Sequence, residues 1–260
     1  MSVKSVVVNT VDVARSVEFY REFLAAEPVG EVTSERAELD LVTATLRLVR
    51  VSPGGEPSSW EKDDTQRGFR HIGFKVAAVD PMVERLKAAD VPFHMDPIDA
   101  TGGVRITFFY DPDGTLLELV EGDLKYTAVL DERGAAAERA LGVPERPRFD
   151  HVAVTAADAD AIAARYEPLG FAPVGTIAQT KDPRGFNILF LHSSVPTILE
   201  IFTYESGTHG RDAQVGVPGF QAVVLDRPLD GLDGFTPVGA PADGVPLNVD
   251  SDSLVVAVEP

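Results

Sequence analysis

The 260-residue chain contains no cysteine. Its absence excludes disulfide bonds, thiolate metal ligands and a cysteine nucleophile. Basic residues are also scarce, because 23 lysines and arginines stand against 41 aspartates and glutamates and leave a net charge of −18. Nucleic-acid backbones are bound by clustered Lys and Arg, so this charge argues against a nucleic-acid partner.

Long apolar runs are missing as well. No segment approaches the length of a membrane span, and Met1–Val13 is too polar for a signal peptide. No basic amphipathic stretch indicates a membrane surface either. We therefore expect a soluble cytoplasmic protein without a membrane partner. The apolar fraction of 44% is enough for one large core or two small ones.

One order of predicted elements, β-α-β-β-β, recurs along the chain. The first unit has strand Val3–Val8, helix Ala14–Ala26 and strands Ala37–Val42 and Thr45–Val51. The second has strand Arg70–Val76, helix Val79–Ala89 and strands near Pro92–Met95, Arg105–Tyr110 and Leu116–Val120. Ser52–Gln66, rich in Pro, Gly and Ser, is predicted to link them.

The third unit has strand His151–Thr155, helix Asp158–Leu169 and strands Phe186–Leu191 and Thr197–Phe202. The fourth is reduced to strands Phe220–Leu225 and Ser253–Val258, because Arg227–Gly234 is too short and too rich in Pro and Gly for a helix. The predicted first domain is 1–122, with modules 1–51 and 68–122. A linker at 123–147, with a short helix near Ala135–Leu141, precedes a second domain, 148–260, with modules 148–205 and 216–260.

Units two and three each place a histidine on their first strand and a glutamate on their last strand. The pairs are His71 with Glu118 and His151 with Glu200, and their spacings are nearly equal. Side chains alternate between the faces of a strand, and this alternation permits the four groups to share one face. At the corresponding positions unit one has Ser5 and Arg47, and unit four has Ala222 and Val256, which offer no obvious metal ligands.

Two imidazoles and two carboxylates without a thiolate suit a divalent transition metal, namely Ni, Co, Zn, Mn or Fe. Positions left open for water or substrate are typical of a catalytic site. The alternative is a metal-free protein in which these side chains are relics.

Further residues are candidates for contact with a substrate. Phe69, Phe149 and Phe202 are predicted on the same strand faces as the ligands, where they line an apolar pocket or merely close it. Arg105 and Asn187, at equivalent positions of units two and three, are candidates to bind an anionic or polar group. The alternative for both is an exposed strand residue.

Three segments resemble the vicinal oxygen chelate superfamily, which includes glyoxalase I, extradiol dioxygenases, fosfomycin-resistance enzymes and bleomycin-binding proteins. They are Phe19-Tyr20-Arg21, Arg70-His71-Ile72-Gly73-Phe74, and the stretch from Phe109 through Asp111-Pro112-Asp113-Gly114 to Leu119. The resemblance covers nearly the whole chain and is weakest after Gly207. It implies an α+β fold of four βαβββ modules, which form two cupped eight-stranded mixed sheets with outer helices.

Fused chains of the glyoxalase I kind pair module one with four and module two with three. This pairing implies one complete metal site, His71, Glu118, His151 and Glu200, and one cup without ligands. Sequential pairing is the alternative, and it would leave one His and one Glu in each cup.

The resemblance implies a metal-dependent isomerase or lyase that moves a proton on a small substrate with vicinal oxygens, with Glu118 as the catalytic base. Glutathione as co-substrate is implied by the family alone. Two alternatives stay open: an extradiol-type Fe(II) dioxygenase, and a metal-free protein that binds a small molecule or antibiotic. A monomer and a homodimer are both compatible with the sequence.

Overall fold

A computed structural model describes residues 3–53, 63–193, 197–226, 229, 231–239 and 245–259. Most of the predicted linker Ser52–Gln66 and part of Arg227–Gly234 lie outside these residues. The strands are β1 Val3–Thr10, β2 Glu27–Pro28, β3 Arg36–Asp40, β4 Thr45–Arg50, β5 Gly68–Val76, β6 Phe93–Asp99, β7 Arg105–Tyr110, β8 Leu116–Glu121, β9 Ala128–Val129, β10 Arg148–Thr155, β11 Ala172–Gln179, β12 Phe186–His192, β13 Ile198–Tyr204, β14 Gly219–Leu225, β15 Phe235–Gly239, β16 Leu247–Asp250 and β17 Val255–Val258. The helices are α1 Val13–Leu24, α2 Val79–Ala88, α3 Glu132–Ala140 and α4 Ala159–Tyr166.

The strands form two mixed sheets. One has the order β15-β16-β17-β14-β1-β4-β3-β2, and the other β6-β7-β8-β5-β10-β13-β12-β11-β9. The first sheet is built from units one and four and the second from units two and three, so the swapped pairing is confirmed. Each sheet therefore takes one module from each predicted domain. The second sheet has nine strands instead of the predicted eight, because β9 of the linker pairs with β11.

Two parts of the repeat differ from the prediction, because unit three has the additional strand β11 and unit four has the additional strands β15 and β16. Unit three contains β11, which the sequence pattern missed because Pro173 and Gly175 interrupt its alternation. Gly175 is required there, since a Cβ atom would lie 2.4 Å from Cγ of Tyr126. The predicted short helix in the linker is confirmed as α3.

One face of each sheet packs against helices. Helix α1 begins after Asp12, whose side chain accepts a hydrogen bond from the backbone N–H of Arg15. Its apolar residues recur every three or four positions and are buried with alternate residues of the strands, including Val6, Val8, Ile72 and Leu117. The opposite faces carry separate apolar clusters. Within the described ranges, no helix is long and apolar enough to span a membrane.

Two matched tyrosine–aspartate contacts join the sheets. The hydroxyl of Tyr20 in α1 donates to Asp111 at 2.8 Å, in the turn between β7 and β8. The hydroxyl of Tyr166 in α4 donates at 3.0 Å to Asp250, the last residue of β16 before the turn to β17. Both carboxylates also accept backbone hydrogen bonds within their own turns. Each contact links a helix on one sheet to a turn of the other sheet.

We expect Tyr20→Phe to lower the free energy of unfolding by about 1–3 kcal/mol, because a buried carboxyl group loses a donor. Burial, partly offset by the Tyr20 hydrogen bond, raises the pKa of Asp111 to about 6. Between about pH 4 and about pH 6, the folded protein therefore keeps the Asp111 proton that the unfolded chain has lost. The contribution of Asp111 to the free energy of unfolding falls as the pH rises through this range. The loss in Tyr20→Phe should thus be larger at pH 7 than at pH 4, as measured by chemical denaturation. Tyr110→Phe, at a half-buried tyrosine, is the control, and an equal loss at both pH values would contradict this account.

Candidate metal centre

The antiparallel pairing of β5 with β10 places two histidines at the middle of the nine-stranded sheet. His71 lies opposite Ala153, and His151 lies opposite Gly73. A Cβ atom on Gly73 would lie 2.0 Å from Cε1 of His151, so only glycine leaves room for this imidazole. The Gly73 of the sequence motif is therefore a steric requirement of the site.

The flanking parallel strands supply the two carboxylates. Glu118 of β8 is next to Gly73, and Glu200 of β13 is next to Ala153. Oε2 of Glu118 lies 3.1 Å from Nε2 of His71 and 3.0 Å from Nε2 of His151. Oε2 of Glu200 lies 3.4 and 3.2 Å from the same two nitrogens, which are 3.1 Å apart. All four side chains are buried.

These distances fit a shared divalent cation. Imidazole nitrogens and carboxylate oxygens bind Zn²⁺ at about 2.0–2.2 Å, which places neighbouring ligand atoms about 3 Å apart. Oε2 of Glu200 is buried and accepts no hydrogen bond from the described part of the chain. A buried carboxylate oxygen without a donor is costly unless a cation binds it. The four residues therefore fit a metal by composition, distance and unmet bonding capacity.

The electrostatics of the site keep Glu118 ionised. Burial alone would raise the pKa of Glu118, but the adjacent His71 and His151 outweigh it and hold the pKa at about 2. Burial opposes the charge on His151, whereas Glu200, Asp150 and Glu118 together raise its pKa well above the usual value. An anionic oxygen is thus available as a ligand or a base at neutral pH.

Two β-bulges change which side chains face the cup. Asp150 is an extra residue in β10, and Arg70 is an extra residue in β5, so the alternation of faces shifts at both positions. Arg70 and Asp150 consequently line the cavity, although alternation alone directs Asp150 to the other face. Phe69 and Phe149 lie instead in the core on the helix side, which corrects their predicted strand face.

Asp150 orients the ring of one candidate ligand, His151. Its Oδ2 lies 3.1 Å from Nδ1 of His151, which leaves Nε2 of that ring directed at the carboxylates. In the sequence, Asp150 directly precedes His151, as Arg70 directly precedes His71. This equivalent position is the one feature of the sequence that could have drawn attention to Asp150.

The other predicted substrate contacts lie in different places. Phe202 lines the cavity, and its ring centroid is 6.0 Å from that of His71. Arg105 forms ion pairs with Asp80 at 2.8 Å and Asp99 at 3.1 Å, and the side chain of Asn187 donates to the carbonyl of Gly185. Neither Arg105 nor Asn187 is among the cavity-lining residues, and their roles stay predictions.

The eight-stranded sheet has no equivalent ligand set. Ser5 and Arg47 occupy the positions of His151 and Glu200, since β1 pairs with β4 in the same register. Ala222 occupies the position of His71. The position of Glu118 is occupied by Ala257 rather than the predicted Val256, because Val224 pairs with Ala257 and Val256 lies in the helix-side core.

Comparisons with known proteins agree with this arrangement. The model of the Glyoxalase/Bleomycin resistance protein/Dioxygenase superfamily matches residues 2–119. The uncharacterized protein YwkD of Bacillus subtilis is 28% identical over 126 residues, which are 46% of this chain and 96% of that protein. Glyoxalase I from Zea mays superposes with a TM-score of 0.65 at 17% identity, covering 99% of this chain and 91% of that one. A putative dioxygenase from Bacillus subtilis superposes with a TM-score of 0.58 at 12% identity, covering 100% and 86%. At these identities, the structural matches establish the glyoxalase-like fold alone.

Gly73→Ala should displace the His151 ring, because the new methyl group would overlap it. We expect the affinity for a divalent metal such as Zn²⁺ to fall about 10- to 100-fold or more, measured by competition with a chromogenic chelator. Gly175→Ala is the matched control, since its Cβ also overlaps an aromatic ring, that of Tyr126, which is not a ligand. Equal affinities in Gly73→Ala and wild type would show that His151 does not bind the metal.

Proposed function

We propose, on the premise that residues 2–119 belong to the Glyoxalase/Bleomycin resistance protein/Dioxygenase superfamily, that this protein is a metal-dependent enzyme of the glyoxalase I type. It would act as an isomerase or lyase on a small substrate with oxygens on adjacent carbons. The observation that carries this proposal is the pair of buried carboxylates at equivalent positions beside two histidines. One chain supplies all four groups, so the site needs no second copy.

His71, Glu118, His151 and Glu200 would hold a divalent metal. When bound, the metal would supply a Lewis acid that polarises the adjacent oxygens of the substrate. Asp150 holds the His151 ring so that Nε2 stays directed into the site. The phenylalanine rings in the cavity wall would shield the reacting carbon atoms from water.

Glu118 is the proposed base. Its carboxylate is ionised at neutral pH and faces the same cavity as His151 and Glu200. It would take a proton from the carbon that bears the hydroxyl group and return it to the neighbouring carbonyl carbon. The hydroxyl proton would pass to the carbonyl oxygen, which completes a proton-transfer isomerisation. The second carboxylate, Glu200, distinguishes this set from the two-His-one-carboxylate set of ring-cleaving iron enzymes.

Glu118→Gln should slow proton exchange at carbon by about 10²- to 10⁴-fold, because the amide cannot accept the proton. The measurement is proton NMR of small α-hydroxyketones in deuterated water with the metal-loaded protein. Glu200→Gln, at the pseudo-symmetric position, is the matched control and should retain more exchange activity at saturating metal.

An exchange rate in Glu118→Gln equal to that of wild type would remove the proposed base. Oxygen consumption with catechols and Fe²⁺, without any proton exchange, would instead favour the dioxygenase alternative. Binding of small molecules without metal or turnover would favour the binding-protein alternative.

A further inference from the structure

The residues that line the cavity indicate which class of substrate it binds, and this inference rests on the proposed function of the same site. The cavity has a volume of about 410 Å³, and three of the four ligand residues line it: Glu118, His151 and Glu200. The described residues that line it include four phenylalanines: Phe108, Phe186, Phe190 and Phe202. A cavity of this size accepts a ligand with about one aromatic ring in addition to its oxygen atoms.

Two of these rings lie directly beside the metal ligands. Phe108 pairs with Glu118 across β7 and β8, and Phe190 pairs with Glu200 across β12 and β13. The centroid of the Phe108 ring is 4.9 Å from that of His71. Each carboxylate therefore has an aromatic neighbour on the cup face, one from each module.

The eight-stranded sheet lacks this aromatic pair. Its position equivalent to Phe190 is Glu38, opposite Arg47, and its position equivalent to Phe108 is Leu247, opposite Ala257. The two phenylalanines thus accompany the ligand set and are not a general feature of the repeat.

Among the described residues, the two basic side chains that line the cavity, Arg70 and Lys75, bind groups of the same chain. Arg70 donates to Asp64, Thr155 and Tyr204, and its guanidinium lies 4.2 Å from the centroid of the Phe202 ring. Lys75 donates to the carbonyl of Gly122. An anionic substrate would have to compete with these internal partners.

Acidic residues outnumber the basic ones around the cavity. Besides the two ligand carboxylates, the walls include Asp99, Glu138, Asp150 and Asp182. Glu138 accepts a hydrogen bond of 2.5 Å from Tyr126, and Asp150 contacts His151. A divalent cation would balance Glu118 and Glu200, and Asp99 and Asp182 are paired with Arg105 and Arg184. Asp150 and Glu138 remain as the acidic groups that oppose negative charge on a ligand.

We infer that the substrate is an uncharged compound in which an aromatic or similarly bulky apolar group adjoins the vicinal oxygens, and that it is not a glutathione adduct. Glutathione carries two carboxylates, for which the described part of the lining offers only the engaged Arg70 and Lys75. The apolar group would lie against Phe108 and Phe190, which fixes the oxygens towards the ligand set.

Calorimetric titration of the Zn²⁺-loaded protein with three hydroxamates tests this inference, since each binds a metal through two adjacent oxygens. We expect benzohydroxamate to bind about tenfold or more tightly than acetohydroxamate, because a phenyl group is buried. 4-Carboxybenzohydroxamate should bind about tenfold more weakly than benzohydroxamate, because its added carboxylate meets the acidic wall. S-Benzylglutathione should not compete with benzohydroxamate.

Phe108→Ala should reduce the preference for benzohydroxamate over acetohydroxamate about tenfold, with both ligands titrated into Zn²⁺-saturated protein. Phe93→Ala is the matched control, since it removes a ring that packs on the helix side beside Phe109. Equal binding of the three hydroxamates, or tight binding of S-benzylglutathione, would overturn the inference and leave the metal site standing. Failure of the protein to bind Zn²⁺ or acetohydroxamate would instead overturn the proposed function on which it rests.

Discussion

The antiparallel pairing of β5 with β10 is the contact on which the candidate site depends. It joins modules two and three in one sheet and places His71 and His151 on opposite strands, with Nε2 atoms 3.1 Å apart. The pairing tolerates both imidazoles because Gly73 and Ala153 stand opposite them. The parallel partners β8 and β13 then bring Glu118 and Glu200 to the same point.

The two β-bulges make this pseudo-symmetric site chemically asymmetric. Each bulge turns the residue before a histidine into the cavity, but that residue is Arg70 on one strand and Asp150 on the other. Asp150 orients His151, whereas Arg70 packs on Phe202 and donates to Asp64. The two histidines therefore have different surroundings, and the carboxylates differ too, since Glu200 alone leaves a buried oxygen without a hydrogen bond among the described residues.

Much of this arrangement could be predicted from the sequence, because repeats preserve relative positions. The matched His and Glu positions of units two and three indicated the ligand set, and their replacement by Ser5, Arg47 and Ala222 elsewhere favoured the pairing that the sheets show. A bulge cannot be read from alternation, so the faces of Phe69, Phe149 and Asp150 could not be assigned correctly. Strand β11 was missed because Gly175 serves a contact with Tyr126, which is distant in the sequence. The position of Glu138 in the cavity wall could not be predicted either, since only tertiary packing brings this linker residue to the cavity.

The most direct test of the account is the metal content of the untagged protein, measured by elemental mass spectrometry. The comparison is between wild type, His71→Ala/His151→Ala and the control His94→Ala/His209→Ala, whose histidines lie outside the ligand set. The account predicts about one transition metal per chain in wild type and control and none in the first double variant. Wild-type protein without metal after reconstitution, or metal retained when His71 and His151 are both replaced, would contradict it.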